Sequence, residues 1–341
     1  MIKPTAPPDG CLRVMAAIAL FPWAAIAGAD DSPWLYSVTG NPANVDTPTR
    51  GLIVMQGGGT DVDENYVRMA EFGGGGDFVV LRASGADEYN DYIYDLCKCD
   101  SVETIVFRDR TASDDERVLE IIRNAEALFI AGGDQSRYVR FWQGTPVQAA
   151  IHHVAARPAP IGGTSAGMAI MGEFVYSAFG PASLSSEAAL GNPYHEDVTL
   201  ARDFLRLPHL GHVITDQHLQ ERDRIGRTAV LMARLLADGW SEDVRAIAAD
   251  RETALHIDPA TGEARVFATA EHETPYVYML RATTKPAVCA PDTPLTFRDI
   301  HVRRLGPGDR FDVGRWSGDD GITYRLHAEN GKMTSSRHSM Y

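Results

Sequence analysis

The sequence predicts an α/β fold: a mostly parallel sheet with helices on both faces, followed by a β-rich C-terminal portion. Three observations predict it. From Gly51 to about Ala249, short apolar runs alternate with stretches of helical period, and strands that are apolar throughout suit a parallel sheet buried on both faces. Strand-like runs end in four glycine-bearing loops, Gly57-Gly58-Gly59, Ser84-Gly85, Gly132-Gly133 and Gly162-Gly163, and sites in such sheets form at the carboxyl ends of strands. Beyond about residue 252 the pattern changes to short strands separated by turn sequences.

The elements follow in order. Gly51-Leu52-Ile53-Val54-Met55 reads as the first strand of the alternating region and Asn65 to Phe72 as a helix. Phe78-Val79-Val80-Leu81 and Thr104-Ile105-Val106-Phe107 are strands. Ser113 is placed to cap a helix over Asp114 to Asn124, whose acidic first turn suits the helix dipole. The strand Ala127-Leu128-Phe129-Ile130 comes next. Thr145-Pro146 then opens a helix to about Ala156, proline being suited to the first helical position. A small-residue helix is expected over Ala166 to Glu173, and a long one from about Leu219 to Ala237 after the strand His212-Val213-Ile214. In the C-terminal portion, Leu255 to Ile257, Ala264 to Ala268, Val277 to Leu280 and Tyr324 to Leu326 read as strands. Pro259 to Gly262 and Asn330-Gly331 read as turns.

Residues 1–29 read as a signal peptide. Lys3 and Arg13 flank the start, an apolar run spans Val14 to Ile26, and small-x-small cleavage sites follow at Ala25-Ile26-Ala27 and Ala27-Gly28-Ala29. Pro22 inside the run and the polar Asp30-Asp31-Ser32-Pro33 after it argue against a buried helix, and the run is short for a membrane span. The expectation is a secreted or periplasmic protein whose residues 30–341 form one catalytic domain. In an oxidising compartment Cys97, Cys99 and Cys289 could pair, either as one bridge from Cys97 or Cys99 to Cys289 or as a bond within Cys97-Lys98-Cys99. Their spacing is not that of a zinc site, and neither metal nor cofactor is expected. The net charge of −14 over 341 residues disfavours nucleic acid and an anionic membrane as partners, since both demand a basic face.

The chemistry concentrates at Gly162-Gly163-Thr164-Ser165-Ala166-Gly167. A strand, then Gly-x-Ser-x-Gly, then a helix is the nucleophile-elbow pattern: the turn lifts a serine oxygen above the sheet edge and aims the next N–H and the helix N-terminus at the same point. Ser165 needs a base, and the base needs an orienting group. His218, at the end of the strand leading into Thr215-Asp216-Gln217-His218, is the best candidate base, on the same sheet edge as Ser165. His152 and His153 fall mid-helix, and His209 and His212 lack a third ligand nearby. Glu187, in the long irregular stretch after the elbow, is the favoured orienting acid, against the alternative of an exposed loop carboxylate.

The elbow, Gly132-Gly133-Asp134-Gln135, Asp216-Gln217-His218 and Arg222-Asp223-Arg224-Ile225-Gly226-Arg227 occur in the order seen in the cyanophycinase family. The chain resembles that family, serine peptidases of family S51 related to aspartyl dipeptidases, from Gly51 to about Leu255. The resemblance implies a class I glutamine amidotransferase-like fold, a catalytic set of Ser165, His218 and Glu187, and an oxyanion hole from Ala166 with Gly132 or Gly133. It implies substrate binding by Gln135, Asp216, Gln217, Arg222, Arg224 and Arg227, and a homodimer. The expected reaction is hydrolysis of β-aspartyl bonds, β-Asp-Arg or isoaspartyl, in cyanophycin or dipeptides through an acyl-enzyme. Arginine forks suit the carboxylates of such a substrate; the lesser alternative is that Arg224 and Arg227 lie one turn apart on a solvated helix face. The loop Leu81 to Tyr89 and the run Ala188-Ala189-Leu190 depart from the pattern of a cyanophycin binder, which separates substrate from reaction class. An α/β-hydrolase esterase, or a non-catalytic binding protein on the same fold, remain the alternatives. The esterase would need an oxyanion loop of His-Gly-Gly type, and Met55-Gln56-Gly57-Gly58-Gly59 lacks the histidine.

Overall fold

The unbroken apolar runs become the buried middle of a sheet in the computed structural model, which describes residues 32–269 and 275–341. The signal-peptide expectation for residues 1–29 lies outside the described residues. In chain order, β1 (Trp34–Gly40), β2 (Leu52–Gln56), α1 (Asp63–Phe72), β3 (Asp77–Arg82), α2 (Asn90–Cys97) and β4 (Ser101–Phe107) come first. After a 3₁₀ turn at Arg110–Asp114 follow α3 (Glu116–Asn124), β5 (Ala127–Ile130), α4 (Gln135–Trp142), α5 (Pro146–Ala156) and β6 (Pro160–Thr164). β4, β3, β5, β6 and β2 lie side by side and pair in parallel. Successive residues of a strand point to opposite faces. Thus Leu52 and Val54 share a core with Tyr66, Met69 and Ile93 of α1 and α2. Ile53 and Met55 share another with Val118 and Ile122 of α3, Tyr138 and Trp142 of α4 and Ile151 of α5.

The next elements are α6 (Ala166–Ala169), β7 (Phe174–Tyr176), α7 (Ser186–Gly191), β8 (Leu200–Arg202), β9 (Val213–Gln217), α8 (Ile225–Ala237) and β10 (Val244–Ala249). The C-terminal strands are β11 (Thr253–Ile257), β12 (Glu263–Ala268), β13 (Val277–Ala282), β14 (Val288–Ala290), β15 (Thr293–Leu305), β16 (Arg310–Asp312), β17 (Ile322–Glu329) and β18 (Lys332–Ser335). They build two sheets. β11, β12 and β16 continue the first sheet beyond β2, and β1 covers its other edge. The second runs β18-β17-β15-β13-β10-β9-β7-β8, with β14 on β15. The expectation of one mostly parallel sheet therefore holds only for the centre of the first. In the second, β9 pairs in parallel with β10 and β7, and its other pairings are antiparallel. At one of these pairings, β17 with β18, the connection itself dictates the direction, because a short turn can only reverse the chain. Asn330 and Gly331, both at positive φ (46° and 76°), make such a turn between β17 and β18.

Three local expectations are corrected. The cap of α3 is Asp115, whose carboxylate accepts from the Arg117 and Val118 N–H groups, while the Ser113 hydroxyl is buried and donates to the Phe141 carbonyl at 2.9 Å. The helix after the elbow spans only Ala166–Ala169. α8 begins at Ile225, and residues 219–224 form a turn. Cys97, Cys99 and Cys289 are free thiols. The first two pack beside Ile93 and Val80, whereas Cys289 packs against the cluster around α8, so a bridge would have to join two separate cores. Burial pushes the three thiols up to about 12, 11 and 11. Among the described residues no helix is long and apolar enough to cross a membrane.

Candidate active site

Ser165 follows the last residue of β6 in a conformation (φ 50°, ψ −113°) that side-chain-bearing residues rarely adopt. Strain of this kind costs about 1–3 kcal/mol and is retained where function uses it. The surroundings fix it. The Ser165 N–H donates to the Gln56 carbonyl at 3.0 Å, and the Ser165 carbonyl accepts from the Ala169 N–H at 2.9 Å. Gly167 must be glycine for α6 to come this close to the sheet, since a Cβ there would lie 2.0 Å from the Ile130 oxygen. Gly132 borders the serine, its Cβ position 3.5 Å from Ser165 Cβ, and Ala166 begins α6 directly after it.

His218 follows the last residue of β9, in the second sheet. The sequence placed it on the same sheet edge as Ser165; the two instead meet across the seam between the sheets. Their separation is 3.1 Å from Ser165 Oγ to His218 Nε2. The Gly57–Gly59 loop makes the seam: the His218 N–H donates to the Gly57 carbonyl at 2.9 Å and the Glu252 N–H to the Gly58 carbonyl at 2.6 Å. Gly58 has φ +97°, and a Cβ on it would lie 2.2 Å from His218 Nε2. Below the loop, the Thr215 hydroxyl donates to the Met168 carbonyl at 2.8 Å, tying β9 to α6. The Gln220 N–H donates to the Asp250 carboxylate at 2.9 Å, bracing the turn that carries the histidine.

The carboxylate on the far side of the imidazole is Glu221. Its Oε2 lies 2.7 Å from His218 Nδ1. This corrects the expectation of Glu187, which sits exposed in the first turn of α7. Burial lowers the His218 pKa, with the charges of Arg222 and Arg224 adding to the effect, and Glu221 opposes it; the net result lies below the ordinary histidine value. Burial pushes the Glu221 carboxyl up, but the hydrogen bond from His218 and the neighbouring positive charges outweigh it and hold it below the usual range. A neutral imidazole between a hydroxyl and an ionised carboxylate is the state a general base requires.

The expected binding residues divide. Asp216 and Arg227 are buried against each other: the Arg227 guanidinium donates to both Asp216 oxygens, and Thr228 Oγ1 and the Gln217 N–H donate to the same carboxylate at 2.7 and 2.8 Å. Burial raises the Asp216 carboxyl, and Arg227 more than reverses this. The pair fastens β9 to α8, so its groups are spent inside the protein. Arg224 is buried and donates to the carbonyl and side-chain oxygen of Gln217; burial, then the charge of Arg227, bring its pKa down to about 10. Gln135 is buried near the Tyr176 carbonyl, and Arg222 is exposed beside Glu221. Three of the other candidate histidines make contacts to the framework. His152 Nε2 lies 3.1 Å from the Phe204 carbonyl, His209 Nε2 3.1 Å from that of Pro259, and His212 Nδ1 3.1 Å from Ser241 Oγ. Sequence reasoning missed Glu221, although a carboxylate three residues after the histidine was the available signal.

Residues 83–183 match the model of peptidase family S51. The chain is similar to the cyanophycinase of Trichormus variabilis, 29% identical over 225 residues that cover 65% of this chain and 68% of that one. It is also similar to that of Geminocystis herdmanii, 28% identical over 60% and 69% of the two chains. Among solved structures it resembles a peptidase from an acI-B1 Actinobacterium with a TM-score of 0.52 and 14% identity, covering 78% of this chain and 98% of the other.

Proposed function

Because the chain belongs to the cyanophycinase family of S51 serine-type peptidases, we propose that it hydrolyses β-aspartyl peptide bonds through an acyl-enzyme, outside the cytoplasm. The observation that carries this reading is the 3.1 Å approach of Ser165 Oγ to His218 Nε2 on a strained elbow. In the first half-reaction Ser165 Oγ attacks the carbonyl carbon and His218 Nε2 takes its proton. The N–H groups of Ala166 and of Gly132 or Gly133 hold the oxyanion. Collapse breaks the C–N bond, and His218 returns the proton to the leaving amine. In the second, His218 deprotonates a water that attacks the ester, and Ser165 recovers its proton as the acid leaves. Glu221 holds the imidazole by Nδ1 throughout.

Arg222, Arg224, Gln135 and Gln217 are the proposed substrate-facing groups, with arginine recognising the free carboxylate of the aspartyl unit. The proposed fold is the class I glutamine amidotransferase type with helices on both faces of the first sheet. Export rests on residues 1–29, and the family resemblance favours a homodimer. The test is mass identification of products from purified protein given cyanophycin, β-Asp-Arg and isoaspartyl and α-aspartyl dipeptides. Cleavage confined to the β-linked substrates and abolished by Ser165→Ala is the expected result. Undiminished cleavage by Ser165→Ala, or turnover of α-linked peptides alone, overturns the reading.

A further inference from the structure

The face of the second sheet that carries Ile247 and Met279 also carries, at its margin, a row of basic side chains that the proposed chemistry does not use. Strand register places Arg245 of β10 beside Arg281 of β13, Arg281 beside His301 of β15, and His301 beside Arg325 of β17. Like charges on directly opposed strand positions destabilise a sheet, so the opposed Arg245 and Arg281 of this row, in a chain of net charge −14, call for a compensating reason. The protein compensates it only in part. Asp243 is shared by Arg281 (2.7 Å) and Arg245 (3.1 Å), and Asp299 pairs with Arg325 at 3.0 Å. Arg303, one pleat along on the same face, donates to the Asp320 carbonyl at 2.7 Å. Among the described residues four guanidiniums thus face two carboxylates, and Arg245 Nε is buried with no hydrogen-bond partner.

The row borders a cavity. Arg281, His301, Arg303 and Thr323 form its floor, and Phe311 and Trp316 rise at its side in edge-to-face contact at 5.5 Å. Its volume is about 500 Å³, within the range of small-ligand sites. The Arg245 guanidinium lies 5.2 Å from the centre of the Trp316 ring. This is not the active site. Arg245 pairs with Val213 at the start of β9, whereas His218 follows the Gln217–Ala249 pair at its end, about 13 Å further along at strand rise.

We infer that this cavity is a second binding site, for a short carboxylate-bearing peptide. The two lining guanidiniums, Arg281 and Arg303, stand diagonally on neighbouring strands, roughly 7–8 Å apart, a spacing at which each can hold a different carboxylate of one peptide bidentately, and the aromatic wall covers the peptide's apolar atoms. A nucleic acid would need an extended basic surface, which a partly neutralised concavity does not offer. The inference is independent of the hydrolytic reading.

The experiment is fluorescence anisotropy of labelled tetra-aspartate titrated with full-length Ser165→Ala protein, which removes the expected nucleophile. Saturable binding is expected, weakened at least tenfold from 20 to 300 mM NaCl and at least tenfold by Arg303→Gln. Thr323→Glu, at an exposed floor position opposite Arg303, should weaken it similarly and keeps the test valid if Arg303→Gln does not fold. On an otherwise wild-type background Thr323→Glu should leave β-aspartyl dipeptide turnover unchanged. Absence of saturable binding overturns the inference. So does equal affinity for tetra-serine, unchanged affinity in a folded variant, or displacement of the peptide by a DNA duplex at lower concentration.

Discussion

Replacing Glu221 with glutamine keeps the size of the side chain and removes its charge. The Oε2 to Nδ1 contact of 2.7 Å becomes charge-assisted when His218 takes the serine proton, and such bonds are worth about 1.5–3 kcal/mol. The Glu221 side chain is 37% exposed, so water shares the task of stabilising the imidazolium and the lower part of that range applies. A loss of about 1.5–2 kcal/mol from the transition state is roughly 10- to 30-fold in kcat. That is far below the ~10⁴-fold cost of neutralising the buried aspartate in the serine protease triad. The pH profile supplies a second readout. Activity rises as His218 becomes neutral, and burial already holds its pKa below the ordinary value while Glu221 pulls it up. Removing that upward pull should move the acidic limb of kcat/KM to lower pH while the plateau falls. Steady-state kinetics of β-aspartyl dipeptide hydrolysis between pH 4 and 9, on Glu221→Gln and Glu187→Gln side by side, make the measurement. An unchanged plateau and limb in Glu221→Gln, with the loss appearing in Glu187→Gln, would refute the assignment of the acid to the turn after β9.

Three further outcomes follow from the same geometry. Gly58→Ala forces a Cβ to 2.2 Å from His218 Nε2 at φ +97°; displacement of the imidazole should cost more than 100-fold in kcat/KM, measured beside an unchanged far-UV spectrum. Arg227→Met strands Asp216 uncompensated in the core, which should lower stability by about 3–5 kcal/mol in urea unfolding near neutral pH, with a smaller loss once Asp216 can be protonated. Asp250 is a buried carboxyl raised from 3.8 to about 7. Between those pH values the folded state holds a proton that the unfolded chain releases, so this group reduces stability as pH rises through the window. Asp250→Asn should therefore gain stability relative to the parent at pH 8 and not at pH 4, read from unfolding midpoints at both.

Much of the first sheet was legible because its signal is local. Leu52 to Met55, Phe78 to Leu81 and Ala127 to Ile130 are apolar at every position, and only a strand buried on both faces tolerates that. The elbow was legible for the same reason: Gly163 and Gly167 leave space that no other residue leaves, and their spacing is written in five consecutive letters. His218 was found from its place at a strand end.

What the sequence by itself determined, then, is whatever depends on residues close together in the chain: the strand and turn patterns, the serine on its elbow, the histidine after β9. The tertiary structure alone decided which sheet each strand joined, since β10 to β18 carry similar short patterns whichever sheet they complete. It decided that serine and histidine meet across a seam held by the Gly57–Gly59 loop. It also decided that Asp216 and Arg227 neutralise each other in the core, and that Glu221 and not Glu187 reaches the imidazole. Each of these is a choice among partners of equal chemistry, and an ion pair or hydrogen bond is made by whichever group the packed backbone brings within about 3 Å.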